Sequence, residues 1–154
     1  MDPHFPKLAY DASVRRLDKQ DETVTELRAR TGVVLATSAL AASVLGRPAL
    51  DARPAWLAAL AVVAFAVSIV ACLYVLLPRQ NLVLSLIGPR VFEELYPFRA
   101  DMAEVHRRLA YDLERFWQEN DATIRRLVAA LRIAAGALVA EIVLLLASLS
   151  GILG

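Results

Sequence analysis

The stretch 55–77, AWLAALAVVAFAVSIVACLYVLL, constrains this chain more than any other. Its 23 residues carry no charge, and its polar side-chain atoms belong to Ser68, Cys72, Tyr74 and the indole of Trp56. At ~1.5 Å rise per residue such a helix reaches roughly 34 Å, enough for a hydrocarbon core of ~30 Å with some tilt. A helix inside a soluble domain is seldom this apolar on every side. Trp56 and Tyr74 stand near its two ends, at the level amphipathic rings favour, with Pro54 before it and Pro78-Arg79 after it. The stretch reads as a membrane-spanning helix.

Charge segregation extends that reading to the whole chain. Of 154 residues, 17 are Lys or Arg and 16 are Asp or Glu, and they crowd into 2–30 and 79–132, while 133–154 holds Glu141 alone. This division fits a membrane protein with charged arms better than a globular domain. Acidic and basic residues alternate along both arms, so no nucleic-acid surface is expected. The single cysteine, Cys72, lies in the span and reads as a small buried apolar residue. The first 22 residues mix both charges without an apolar core, unlike a secretory signal, and no lipidation motif is present.

Residues 1–7, with Pro3 and Pro6, read as a loose tail. Tyr10, Val14, Leu17, Asp21, Val24 and Leu27 then recur three and four apart, predicting a cytoplasmic helix over 8–30, with Asp11 or Ser13 as its cap. It runs into 31–46, a short first span rich in Ala and Ser. Arg30 and Arg47 flank that span and can snorkel outward to lengthen it. Its small residues four apart (Gly32/Ala36, Ser38/Ala42, Ala42/Gly46) suit close helix packing in lipid. The link 47–54 holds two prolines and reads as a tight turn into the second span, 55–77.

Pro78, Gly88-Pro89 and Pro97 mark 78–99 as an irregular cytoplasmic connector, with NLVLSLI and RVFEELY as short pieces at the membrane surface. Asp101 with Glu104 three residues on predicts a capping box opening a long cytoplasmic helix over 101–132. Leu109, Leu113, Phe116, Asn120, Ile124, Leu127 and Leu131 mark one face of it. The helix continues into a third span, 133–153, with a kink expected at Ala135-Gly136. The fold class is therefore all-α: a membrane helical bundle of three spans, with long cytoplasmic extensions of the first and third.

Glu141 is the leading candidate for a functional side chain. An ionised group near mid-span costs at least ~2.5 kcal/mol, so a Glu there has a purpose. It shares a helix face with Ala134, Ala137 and Ser148, and Ser38 and Ser68 lie at similar depth. One reading is a protonated Glu serving as polar glue between helices or protomers; the other is a polar lining for an ion or proton path in an assembled oligomer. Asp21 and Asn120 interrupt the apolar stripes of the cytoplasmic helices, where polar residues set register or oligomer state. Trp117, beside Phe116, reads as a packing anchor.

Arg125, Arg126 and Arg132 stand where they can face anionic headgroups. His106 and Glu104 point to different helix faces, and Glu93-Glu94 reads as surface charge. The sequence holds no phosphate loop, nucleophile elbow or His/Cys cluster, so neither an enzyme nor a bound cofactor or metal is expected.

The order of parts resembles a known group. An arm with LDKQDETVTELRARTGVVLATSALAASVLG enters a first span, a second span ends in LLPR, and a charged helix with ERFWQEN runs into a final apolar helix with a central Glu. This is similar to the small bacterial membrane proteins grouped with Pycsar effectors and to SLATT-type domains. The resemblance implies a membrane-disrupting effector in antiphage defence, self-associating and triggered by a cyclic nucleotide or a partner protein; no separate nucleotide-binding domain accompanies these helices. The alternative is a non-conducting anchor whose cytoplasmic helices bind a partner. The Ala, Arg, Leu and Val bias fits a high-GC bacterium, and hence a bacterial inner membrane.

The N-terminal arm carries six Lys or Arg and 78–132 carries nine, against two in the hairpin link and none after Arg132. Both basic arms are therefore expected in the cytoplasm, with the C-terminus outside. An alkaline phosphatase fusion after Gly154 should be active and a fluorescent-protein fusion there dark; the reverse pattern would invert the topology.

Overall fold

In a computed structural model the described residues, 4–51, 55–78 and 102–150, form three helices, with no strand among them. Helix α1 spans His4–Asp51, α2 spans Ala55–Leu76 and α3 spans Met102–Ser150. All three are long and apolar enough to cross a membrane. The expected connector 78–99, apart from Pro78, lies outside the described residues, as do the Asp101 cap, Glu93-Glu94 and the chain after Ser150.

Several boundaries differ from the sequence expectation. Helix α1 already begins at His4, so Pro6 falls in its first turn, where a missing N–H costs no ladder hydrogen bond. Asp11 and Ser13 are consequently interior and cap nothing. At the other end α1 runs through Pro48 to Asp51, so 47–51 of the expected turn over 47–54 are helical, and 52–54 lie outside the described residues. Pro48 has no N–H for the Val44 carbonyl and so forfeits one hydrogen bond of the ladder. Its neighbour Ala49 is fully buried against Ala61 and Leu145, which holds the last turn in place. Helix α3 passes Ala135 and Gly136 unbroken. At the end of α2 the Leu77 N–H still donates to the Leu73 carbonyl at 2.9 Å.

The chain divides into two compact units. In the first, residues 4–25 of α1 lie parallel to residues 102–125 of α3. The order of contacts shows the direction: Tyr10 rests on the His106 ring at 5.4 Å between centroids, Arg16 meets Glu114 at 3.2 Å, and Gln20 reaches Trp117 and Asn120. Leu17, Val24, Leu113 and Ile124 fill the seam between these segments.

The second unit packs 26–51 of α1, α2 and 126–150 of α3. Helices α1 and α3 are again parallel, with Ser38 at Glu141 and Ala49 at Ser148. Helix α2 is antiparallel to both: Ala61 meets Ala49 and Leu145, while Ala71 and Cys72 meet Ala134, backed by Val34 and Leu35. Small residues dominate the inside of this unit, alongside the buried Leu57, Val75, Leu127 and Leu145, and its outside is large. Ala58, Ala61, Ser68, Ala71 and Cys72 of α2 are buried, whereas Leu60, Val63, Val67, Val70 and Leu73 are exposed. A water-soluble bundle does the opposite. Small residues inside and Leu or Val outside are what helices packing in lipid require.

Burial along α3 repeats every seven residues, at Leu113, Asn120, Leu127, Ala134, Glu141 and Ser148. Along α1 the matching positions are Leu17, Val24, Thr31 and Ser38. A seven-residue repeat is the spacing of coiled-coil seams. Leu113 is 2 % exposed, so Leu113→Ala should destabilise the full chain in detergent by about 2–5 kcal/mol in denaturant melts followed by circular dichroism. Tyr111→Ala, at a position 74 % exposed, should stay within about 0.5 kcal/mol of the wild type.

Candidate functional site

Five polar residues of the second unit, Thr31, Ser38, Ser68, Glu141 and Ser148, are buried, whereas Thr37 and Ser43 are exposed. Ser38 Oγ donates to Glu141 Oε2 at 2.5 Å, with both residues buried. Ser148 Oγ donates to the Ala49 carbonyl at 3.1 Å, and Ser68 Oγ to the Ala134 carbonyl at 3.3 Å. Thr31 turns back on its own helix and donates to the Leu27 carbonyl at 2.7 Å. Of the two serines expected near Glu141, then, Ser38 reaches the carboxyl and Ser68 serves the α3 backbone instead.

The seven-residue register explains why these residues meet. Glu141 and Ser148 occupy the α3 seam one repeat apart, and Ser38 follows Thr31 by the same interval on α1. Each hydroxyl finds an acceptor within the unit, which matters because an unmatched polar group in an apolar interior costs several kcal/mol. One atom stands apart. Glu141 Oε1 is buried and has no hydrogen-bond partner among the described residues. Glu141 is also one of the residues lining a groove of about 330 Å³ walled by α1, α2 and α3.

The first unit carries its own polar layer. Asn120 Nδ2 donates to Gln20 Oε1 at 3.4 Å, and Gln20 Nε2 donates to the Trp117 carbonyl at 3.1 Å. Asn120 is buried at the seam, where register-setting polar residues sit. Asp21 is exposed, and its neighbour Gln20 takes the inward place. Trp117 is half-buried beneath the Arg16 guanidinium, which lies 5.7 Å from its ring. Gln20 and Thr31 escape a search for charged residues; stepping back by sevens from Ser38 finds Thr31, Val24 and Leu17, with Gln20 on the same face.

Most of the ion pairs among the described residues lie within one helix. Arg125 meets Asp121 at 2.5 Å, and Arg107 and Arg108 both meet Glu104. Hydrogen bonds from Arg107 and then Arg108 hold the Glu104 carboxyl below its ordinary value. That small stabilisation is therefore present above the usual carboxylate range and is lost as pH falls through the lowered value. Arg126 lies beside Tyr74 and Ile133 along an apolar groove between α2 and α3, and Arg132 is exposed. His106 packs on Tyr10, and no cluster of His, Cys, Asp and Glu among the described residues could hold a metal.

The Ser38–Glu141 contact is the interhelical bond to test. A double-mutant cycle of Ser38→Ala and Glu141→Gln, read by unfolding in detergent, should give a coupling of about 0.6 kcal/mol and no more than ~1.7. Additive losses would mean the two side chains do not interact. Comparison of the chain with known families, curated proteins and solved structures returns no match.

Proposed function

We propose that this protein is a membrane-anchored helical scaffold whose extramembrane helix pair binds a soluble partner. The observation that carries the reading is an exposed aromatic groove on the first unit. Phe5 and Tyr111 are 70 % and 74 % exposed and line it together with Ala9, Ala110, Arg107 and Glu114. Large apolar side chains gathered on a water-facing surface mark an interaction site. The arm lies in the cytoplasm of a bacterium, anchored in its inner membrane, with the C-terminus outside; the Lys and Arg distribution supports that orientation.

The inward polar residues favour an anchor over a conductor. Glu141 is 1 % exposed and bonded within one chain, so a single protomer presents no polar lane to ions. The second reading is the effector type, a self-associating protein that opens a leak when triggered, in antiphage defence as the resemblance implies. The observation favouring it is the exposed face of α1 with Gly32, Ala36, Ala39 and Ser43, small residues three and four apart that suit helix pairing in lipid.

Expression in cells separates the two. A scaffold leaves the membrane potential unchanged, and a photo-crosslinker at position 111 captures one discrete protein, while the same group at the lipid-facing position 139 does not. Depolarisation and growth arrest on expression, retained after Tyr111→Ala, would overturn the scaffold reading in favour of the leak.

A further inference from the structure

The groove at Glu141 goes beyond that reading. It opens between the three helices of the second unit and is lined by Ala42 and Gly46 of α1, Ala61 and Phe65 of α2, and Glu141 and Leu145 of α3. Three features make it a built site. First, Ser38 holds Glu141 Oε2, so the carboxyl cannot turn without breaking that bond. Second, Oε1 is buried without a hydrogen-bond partner among the described residues, in a side chain that lines the groove. Third, the walls are small or apolar, with one aromatic ring, and the space of about 330 Å³ falls in the range of small-molecule sites.

A carboxylate oxygen in an apolar cleft is best matched by a group that brings both N–H donors and positive charge. The Phe65 ring adds a face of negative potential, which attracts the same group. Apart from the exposed Arg47, the remaining walls offer no polar side chain to the rest of a ligand, so its body must be apolar. We propose that this groove binds a lipophilic amine, its ammonium on Glu141 Oε1 and its hydrocarbon body against Ala42, Gly46, Ala61 and Phe65. Arg47 is the other charged residue lining the groove; it is exposed, where solvent and headgroups screen its repulsion of a cation. A ligand of this class reaches the site from the lipid phase, where its apolar body already partitions.

Two substitutions probe the site independently. Glu141→Gln removes the charge and keeps the shape. Gly46→Leu acts on volume instead: a Cβ at Gly46 would meet no atom within 4 Å, so the larger side chain enters open space without a backbone clash. The probe is 1-adamantylamine, an ammonium on a compact apolar cage, titrated calorimetrically into the full chain in detergent, with empty micelles as the blank and 1-adamantanol as the uncharged counterpart. Saturable binding of one amine per chain is expected, weakened at least about tenfold by either Glu141→Gln or Gly46→Leu, and strengthened or unchanged by Arg47→Gln. Three results would overturn the proposal: no saturable binding beyond the blank, equal affinity for the alcohol, or binding unmoved in Gly46→Leu. Because Gly46→Leu leaves Glu141 and Ser38 in place, the site remains testable even if Glu141→Gln fails to fold. None of these readouts depends on the soluble partner, so failure here leaves the scaffold reading standing.

Discussion

A buried polar group needs a hydrogen-bond partner, and this constraint orders the second unit from the inside out. Backbone groups satisfy themselves by forming helices. Thr31 turns to its own helix, whereas Ser38, Ser68, Ser148 and the Glu141 carboxyl find partners on neighbouring helices. Ser38 with Glu141 and Ser148 with Ala49 tie α1 to α3, and Ser68 with Ala134 ties α2 to α3. None of these bonds is strong, because an interhelical hydrogen bond in lipid contributes only about 0.6 kcal/mol on average. Their value lies in direction, since apolar contacts alone would let the helices slide or rotate. The small residues around them, Ala49, Ala61, Ala71 and Ala134, let the backbones come close enough for short side chains to reach.

The same seven-residue interval carries two different seams along α3. In the first unit the seam is Leu113 and Ile124 around Asn120, an apolar stripe with one polar layer, as expected for helices pairing in water. In the second unit the seam is Ala134, Glu141, Leu145 and Ser148, small and polar in the main, with Ile133, Val139, Val143 and Leu146 outside. Apolar area drives association in water but has nothing to gain where the solvent is itself apolar. One period therefore carries opposite chemistry in its two halves. Asn120 and Glu141 stand three repeats apart on that seam and do equivalent work, each fixing which residue of α1 lies opposite.

The proposed function follows the same division. The second unit buries Thr31, Ser38, Ser68, Glu141 and Ser148 and shows Leu and Val outward, which suits an anchor. The first unit leaves Phe5 and Tyr111 on its surface, where water alone is a poor neighbour. The exception inside the anchor is Glu141 Oε1, whose missing partner gives the bundle a chemical preference that its packing does not require. A buried acceptor of this kind either costs stability or awaits a donor, and the open groove beside it provides room for one.

Much of this was readable from the chain alone. The uncharged run after Pro54, the charged arms and the lone Glu141 in the last apolar stretch determine a three-helix protein with apolar spans, because hydropathy and length are properties of a segment by itself. The stripe Leu113, Asn120, Ile124, Leu127 also announced the buried face of α3, since helical period is local. Helix ends were less legible: Pro6 falls in the first turn, where a lost N–H matters little, and Pro48 is tolerated despite one lost ladder bond, with Ala49 buried in the last turn of α1. Only the tertiary structure decided that Ser38 rather than Ser68 bonds Glu141, that Gln20 rather than Asp21 faces Asn120, and that Glu141 lines a groove with one oxygen unpartnered. Those choices depend on the rotation of one helix against another, and that rotation is set jointly by every contact along both, which no single segment contains.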